Sequence, residues 1–290
     1  MHRPFRFNII GTSPDVNHWL AQARRAEELG YSTVFKADRP PLEGLAPLTS
    51  LAYAAASTTS LHVGTSVLVN DYRHPVLLAR EAATLDLFSQ GRLELGLGVG
   101  NWPGDYENMG IPFESAGTRI NRFEEALAII KAMFTGEIVN FSGKYYTIRE
   151  TKGLKSFQQP HPPLFMGGAG KRMLQLAARE ADIINIAPRM TAQGADPADA
   201  TPEAIAQKVA WVREAAGERF AHLELCMLAF HLTIHDNQTS GQLHSPGAMS
   251  VDQAVEHFLE QRERYGFSSF MLFDAQMENF APVVARLTGK

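Results

Sequence analysis

The stretch that most narrows the possible folds is Leu61–Trp102, LHVGTSVLVNDYRHPVLLAREAATLDLFSQGRLELGLGVGNW. It opens on a β-branched run, Val63, Thr65, Val67 and Val69, and breaks at the polar Asn70-Asp71. From Pro75 to Phe88 the pattern turns helical, with Val76, Ala79, Ala83 and Leu87 near helical spacing, and Gly91 starts a second strand. A strand, a helix and a strand on short turns make a βαβ unit, whose two strands run parallel. Both strands end in small or polar residues, the end at which barrels and open α/β sheets hold ligands.

The same alternation runs along the whole chain. Further strands are expected at Phe5–Gly11, Ser32–Ala37, Leu164–Gly168, Asp182–Ala187, Leu223–Ile234 and Phe267–Phe273. Further helices are expected from Asp15 or Asn17 to Leu29 and at Pro47–Thr59, Arg119–Thr135, Lys171–Glu180, Pro202–Ala216, Val251–Tyr265 and Met277–Leu287. Asp38–Leu45, Asn101–Thr118, Pro188–Thr201 and His235–Ser250 read as loops. Gly136–Pro163 departs from the rhythm, with a small hairpin (VNFSGKYYTI) and an extended connector (KGLKSFQQPHPP) between helix four and strand five. Eight βα units in 290 residues predict a (β/α)8 TIM barrel, one domain over residues 1–290. A doubly wound open sheet is the alternative.

Composition removes several function classes. A hydrophobic share of 45% is enough for one large core or two smaller ones. A formal net charge of −4 leaves no basic footprint, so a nucleic-acid partner is not expected. The one cysteine, Cys226 in LELCMLAF, excludes a disulfide framework and fits a cytoplasmic protein. It reads as a core residue or a nucleophile. MHRPFRFNII lacks the apolar core of a signal peptide, and no apolar run approaches the ~20 residues of a membrane span. His74, His161, His231, His235 and His244 are scattered, without H-x-H or H-E-x-x-H spacing, so no metal centre is expected. No G-x-S-x-G elbow is present for a serine nucleophile.

Three motifs carry candidate chemistry. In RLELGLGVG, Leu93, Leu95, Leu97 and Val99 fall on one face, with Glu94, Gly96, Gly98 and Gly100 on the other. The glycine face suits either close approach of a ligand or a narrowing barrel interior. GGAGKR, Gly167–Arg172, ends a strand and starts a helix, where free N–H groups and partial positive charge favour a phosphate. The alternative is a tight turn with two solvated cations. Asp38-Arg39 follows strand two, and either residue can reach a ligand or form a surface ion pair.

GTSVLVNDYRHPVLLAREAATLDLFSQGRLELGLGVG, then GIPFESAGTRINRFEEALAIIKAMFTG and PHPPLFMGGAGKRMLQLAAREADIINI, resemble the bacterial luciferase-like flavin or deazaflavin oxidoreductases. The resemblance runs from about Phe5 to RERYGFSSFMLF and is closest to the coenzyme F420-dependent branch. It implies a (β/α)8 barrel, a homodimer, and F420 or FMN held at the C-terminal strand ends. It implies a cis peptide at Ser66-Val67 against the cofactor ring, with Asp38 touching the ring, and Asn70, Gly100 and Asn101 alongside. Gly167, Gly168, Ala169, Gly170, Lys171 and Arg172 would cradle the phosphate. Deazaflavin sugar-phosphate dehydrogenases carry a histidine after that aspartate and a glutamate beyond the strand-four glycines. Here Arg39 and Asn101-Trp102-Pro103 stand instead, so that substrate is rejected. The loop His235–Ser250 also looks shorter than its counterpart in close relatives.

The resulting expectation is hydride transfer between F420 and a small organic substrate. Arg39 would stabilise developing negative charge, and His74 or His231 would relay a proton; His74 beside Pro75 also suits a helix cap. An FMN-dependent monooxygenase and a non-catalytic cofactor-binding protein are the alternatives.

Overall fold

A computed structural model describes residues 3–39, 44–191, 194–235 and 247–290. His244, most of the expected loop His235–Ser250, part of the loop Pro188–Thr201 and the middle of the proline-rich loop after Asp38 lie outside the described residues. The first half of the chain runs β1 (Arg6–Ile10), α1 (Val16–Glu28), β2 (Thr33–Lys36), α2 (Pro47–Ser57), β3 (His62–Thr65), β4 (Leu68–Val69), α3 (Pro75–Phe88) and β5 (Leu93–Gly98). There follow α4 (Pro103–Asn108), α5 (Ala116–Met133), β6 (Ile138–Ser142), β7 (Thr147–Lys152), β8 (Leu164–Gly168), α6 (Lys171–Glu180) and β9 (Ile183–Ile186). The chain closes with β10 (Met190–Thr191), β11 (Gly194–Ala195), α7 (Pro202–Ala216), β12 (Glu224–Leu228), β13 (Thr233–Ile234), β14 (Ala248–Met249), α8 (Val251–Tyr265), β15 (Phe267–Phe273) and α9 (Met277–Leu287).

The main sheet has the strand order β3-β2-β1-β15-β12-β9-β8-β5-β4, and β3 also pairs with β5. That return pairing closes the sheet. The fold is a (β/α)8 TIM barrel, and the open doubly wound alternative falls. Contacts gather the residues into two compact units. One comprises Met1–Gly11, Gln22–Val34 and Met166–Lys290; the other comprises Thr12–Ala21 and Phe35–Phe165.

In the first unit β1, β15, β12 and β9 run parallel, with Asn8 opposite Met271 and Cys226 opposite both Ser269 and Asn185. Phe7 and Phe270 stack at 5.8 Å between ring centres, and Phe258 of α8 meets them at 5.2 and 4.5 Å. Each such ring buried contributes roughly 1.5–3 kcal/mol. Cys226 is buried here, which fits its reading as a core residue. Ser250 and Gln253 form a reciprocal cap on α8, and Gly266 (φ 84°) ends the helix in the left-handed region. Lys208 of α7 is 2% exposed; its Nζ donates to Ala187 O (3.0 Å) and Asp199 O (2.9 Å) and pairs with Asp199 Oδ2 at 2.8 Å. It fastens the segment that leaves β9.

In the second unit Leu93, Leu95 and Leu97 are buried, as the alternation predicts. The excursion is the expected antiparallel hairpin, β6 against β7. Its turn is pinned by Glu125 of α5, whose carboxylate accepts the N–H groups of Lys144, Tyr145 and Tyr146. The connector is tied by Gln158, whose N and Nε2 donate to the buried Asp86 at 2.8 and 2.7 Å.

Several boundaries differ from the sequence expectation. Strand three is interrupted at Ser66-Val67, leaving β3 and β4. The expected loop Asn101–Thr118 holds α4, and α5 begins at Ala116 because Ser115 caps it, accepting from Thr118 N at 3.1 Å. Strand seven stops at Leu228, and Thr233–Ile234 pairs instead with Ala248–Met249. Met190–Thr191 and Gly194–Ala195 pair within the expected loop Pro188–Thr201. Leu87 is 40% exposed and so does not lie on the inner face of α3, which is formed by Leu78, Ala79, Ala82, Ala83 and Leu85.

Candidate active site

The site grows from the break in strand three. The Ser66-Val67 peptide is cis, in agreement with the resemblance. Ser66 N donates to Lys36 O at 3.0 Å. Thr65 and Gly96 are joined through a side chain: the Thr65 hydroxyl donates to Gly96 O and accepts from Gly96 N, both at 2.8 Å. A Cβ on Gly96 would stand 1.6 Å from Thr65 O, and one on Gly98 would stand 2.7 Å from Val67 Cγ2. The glycine face of β5 is therefore explained by the neighbouring strand of the protein itself. At Gly100 (φ 73°) a Cβ would meet the Tyr106 hydroxyl at 2.3 Å, so Tyr106 occupies that space.

Past the ends of β2, β4 and β5, the second unit carries a set of paired charges. Asp38, 3% exposed, is held by both arms of Arg73 (Nη2 to Oδ1 3.0 Å), and its Oδ2 accepts from Val69 N at 3.1 Å. Arg39 pairs bidentately with Asp105 of α4 (Nη2 to Oδ1 3.0 Å) and lies 4.6 Å over the Trp102 ring. Asp38 and Arg39 thus pair with other residues rather than as an exposed ion pair of their own. Arg122 Nη1 stands 3.0 Å from Asp71 Oδ1 and also pairs with Glu114. The Tyr106 hydroxyl lies 3.2 Å from Asp71 Oδ2 and 3.0 Å from Val99 O, and Asn70 Nδ2 donates to the Tyr146 hydroxyl at 3.3 Å.

Burial, followed by the charges of Asp105 and Asp38, pushes the Tyr72 phenol up to about 12. Burial and then Asp71 raise Tyr106, and burial raises Tyr146. His74 is exposed and caps α3, its Nδ1 accepting from Val76 N at 3.4 Å. Asn101 is exposed as well. Arg73, Asp71, Asp105 and Arg122 escape sequence reasoning because their partners lie far along the chain. The one local signal for Asp105 is Pro103, a proline suited to the first position of a helix.

The remaining candidates belong to the first unit. Gly167 is required by packing, since a Cβ there would lie 2.3 Å from Asn185 O. Gly168 and Ala169 are half-buried, and Gly170 precedes α6 with open space where its Cβ would be. Lys171 and Arg172 are exposed on the first turn, Lys171 with its ammonium 5.9 Å from the Trp211 ring centre. That donor set of helix N–H groups and two cations fits a phosphate-bearing cofactor. His231 sits exposed in the turn after β12, and partial desolvation of its imidazole holds its pKa below the ordinary value. Among the described residues no helix is long and apolar enough to cross a membrane, and no three His, Cys, Asp or Glu side chains converge as a metal site.

The chain is similar to several known proteins. An F420-dependent glucose-6-phosphate dehydrogenase of Beutenbergia cavernae is 36% identical over 170 residues, which is 56% of this chain and 50% of that protein. The solved coenzyme F420-dependent tetrahydromethanopterin reductase of Methanopyrus kandleri superposes with a TM-score of 0.78 at 17% identity, covering 99% of this chain and 100% of that one. A monooxygenase of Streptomyces bottropensis also gives 0.78, at 20% identity over 97% of this chain and 99% of its own. The family model described as luciferase-like monooxygenase matches residues 3–240, and the chain belongs to that family.

Proposed function

We propose that the chain is an F420-dependent oxidoreductase that transfers a hydride to or from a small organic substrate. The observation that carries F420 over FMN is the exposed pair Lys171 and Arg172 beside the open Gly170 turn, suited to an extended anionic tail. The F420-dependent relative supports the same choice. Bound and reduced, the deazaflavin supplies a hydride from its central ring. Asp38, Ser66, Val67 and Asn70, with Gly100 and Asn101, all of the second unit, are assigned to binding the ring. Arg39, fixed by Asp105 and Trp102, presents its guanidinium to negative charge developing on the substrate. Sugar phosphates do not fit, since Arg39 and Asn101 stand where their dehydrogenases keep an acid and a base. An FMN-dependent monooxygenase is the second reading, favoured by the monooxygenase fold match.

Visible-spectrum titration with each cofactor tests the choice. F420 should bind, and Lys171→Ala with Arg172→Ala should weaken it about tenfold, as the loss of two charge-assisted contacts predicts. FMN binding with oxygen-dependent turnover would overturn the assignment.

The chain acts as a homodimer. Tyr53 on α2 and Leu77 and Phe88 on α3 are 52, 60 and 73% exposed, and α2 packs on α3. Large apolar side chains gathered on one pair of helices suit an isologous interface. Leu77→Glu with Phe88→Glu should convert the dimer to monomer in sedimentation; an unchanged sedimentation coefficient would count against this surface.

A further inference from the structure

Arg39 and Asn101 stand where the sugar-phosphate dehydrogenases keep an acid and a base, and His74 caps a helix. Three tyrosines cluster past the ends of β4 and β5. The Tyr106 hydroxyl is engaged by Asp71 and Val99, and the Tyr146 hydroxyl by Asn70. Tyr72 differs: its ring packs edge-on against Tyr106 at 5.2 Å, and no hydrogen bond among the described residues takes its hydroxyl. It is half-buried on the turn Asn70–Tyr72 that leaves β4. The charged groups that act on it are Asp105 of α4, Asp38 and Arg39 past β2, and Asp71 beside it. Each of these is itself paired: Asp38 with Arg73, Asp71 with Arg122, and Asp105 with Arg39.

We infer that Tyr72 is the proton donor of this enzyme, and that its substrate is an uncharged carbonyl compound whose oxygen lies between the Tyr72 hydroxyl and Arg39. This rests on the hydride-transfer reading above. Paired charges favour an uncharged guest, because an added anion or cation would find each opposite charge already compensated. Arg39 uses one edge of its guanidinium on Asp105, and its remaining Nη1 hydrogens are available as donors. Hydride from the reduced deazaflavin forms a C–H bond at the carbonyl carbon, and the C=O π pair moves to oxygen. The Tyr72 O–H proton passes to that oxygen, giving the alcohol, and water reprotonates the phenolate. The ketone is reduced and the deazaflavin oxidised. Arg39 stabilises the oxygen without giving up a proton, since guanidinium stays protonated.

Cyclohexanone is the probe. Its C=O infrared band should move to lower frequency on binding to the wild-type protein without reduced cofactor, because two donors polarise the carbonyl. In Tyr72→Phe that movement should shrink, while the thermal melting and the F420 spectrum stay those of wild type. With reduced F420, kcat for cyclohexanone should fall about 100-fold in Tyr72→Phe, the usual scale for loss of a general acid. The wild-type rate should be flat between about pH 6 and 10, since Tyr72 keeps its proton to about 12, whereas a histidine donor would lose it near ~6.5. An unshifted band in wild type, or Tyr72→Phe turnover within about twofold of wild type, overturns the inference and leaves the F420 reading intact. A Tyr72-dependent band in a protein that binds no F420 supports the carbonyl contact and removes the F420 reading instead.

Discussion

Gly96→Ala should destabilise the protein by about 3 kcal/mol or more, lowering Tm by roughly 5 °C or more. The added methyl would stand 1.6 Å from Thr65 O, and that oxygen is backbone, fixed by the strand pairing around it. No rotamer change relieves the clash, so β3 or β5 must shift and the two hydrogen bonds between Thr65 and Gly96 must stretch. Gly98→Ala is the informative contrast. Its obstacle, Val67 Cγ2 at 2.7 Å, is a side-chain atom, and the loss should be smaller. Gly104 in α4 has nothing within 4 Å of a Cβ, so alanine there should leave stability unchanged or raise it by about 0.5 kcal/mol. Thermal melting of the three variants orders them. If Gly96→Ala melts with Gly104→Ala, the close approach of β3 to β5 is not what holds glycine at position 96.

Asp199→Ala should cost about 3 kcal/mol, because it leaves the ammonium of Lys208 buried without its counter-charge. Replacing the cation as well, with Lys208→Met, should recover about 1 kcal/mol or more, since an apolar side chain of similar volume needs no partner. Recovery of stability in the double variant therefore separates an uncompensated charge from simple loss of packing; chemical denaturation of both variants measures it. The same pair gives a pH signature. Partial burial of Asp199 works against ionisation, but hydrogen bonds from Lys208 and Arg189 N outweigh it and hold the carboxyl below its ordinary value. The stabilisation is thus complete above the ordinary carboxylate pKa near ~3.9 and is lost as pH falls through the lower folded value. Acid unfolding of Asp199→Ala should lack that contribution.

Much of the barrel was legible where local chemistry marks its own ends. Pro202–Ala216, Lys171–Glu180, Val251–Tyr265 and Met277–Leu287 fall on the residues expected from their prolines, caps and terminal glycines. The hairpin between α5 and β8 was legible for the same reason, a strand pattern broken by Ser142-Gly143. What failed depends on distant neighbours. Leu87 fits helical spacing as well as Leu85 does, and only the arrangement of adjacent elements turns it outward. α4 is six residues long, too short for a periodic signal. Of the site, Asp38 and Arg39 were visible as unusual residues after a strand, but their roles turn on Arg73 and Asp105, which lie 35 and 66 residues away. The glycine alternation in β5 was visible too; its cause, the carbonyl of Thr65, was not.

The link between Thr65 and Gly96 has an evolutionary consequence. Position 65 must offer a hydroxyl that both donates and accepts a hydrogen bond, and position 96 must offer bare backbone to meet it. Neither can drift alone: valine at 65 would strand a buried amide and carbonyl, and any side chain at 96 would evict its neighbour. A change at either position is therefore tolerated only when the other still meets it: a hydroxyl at 65 and bare backbone at 96.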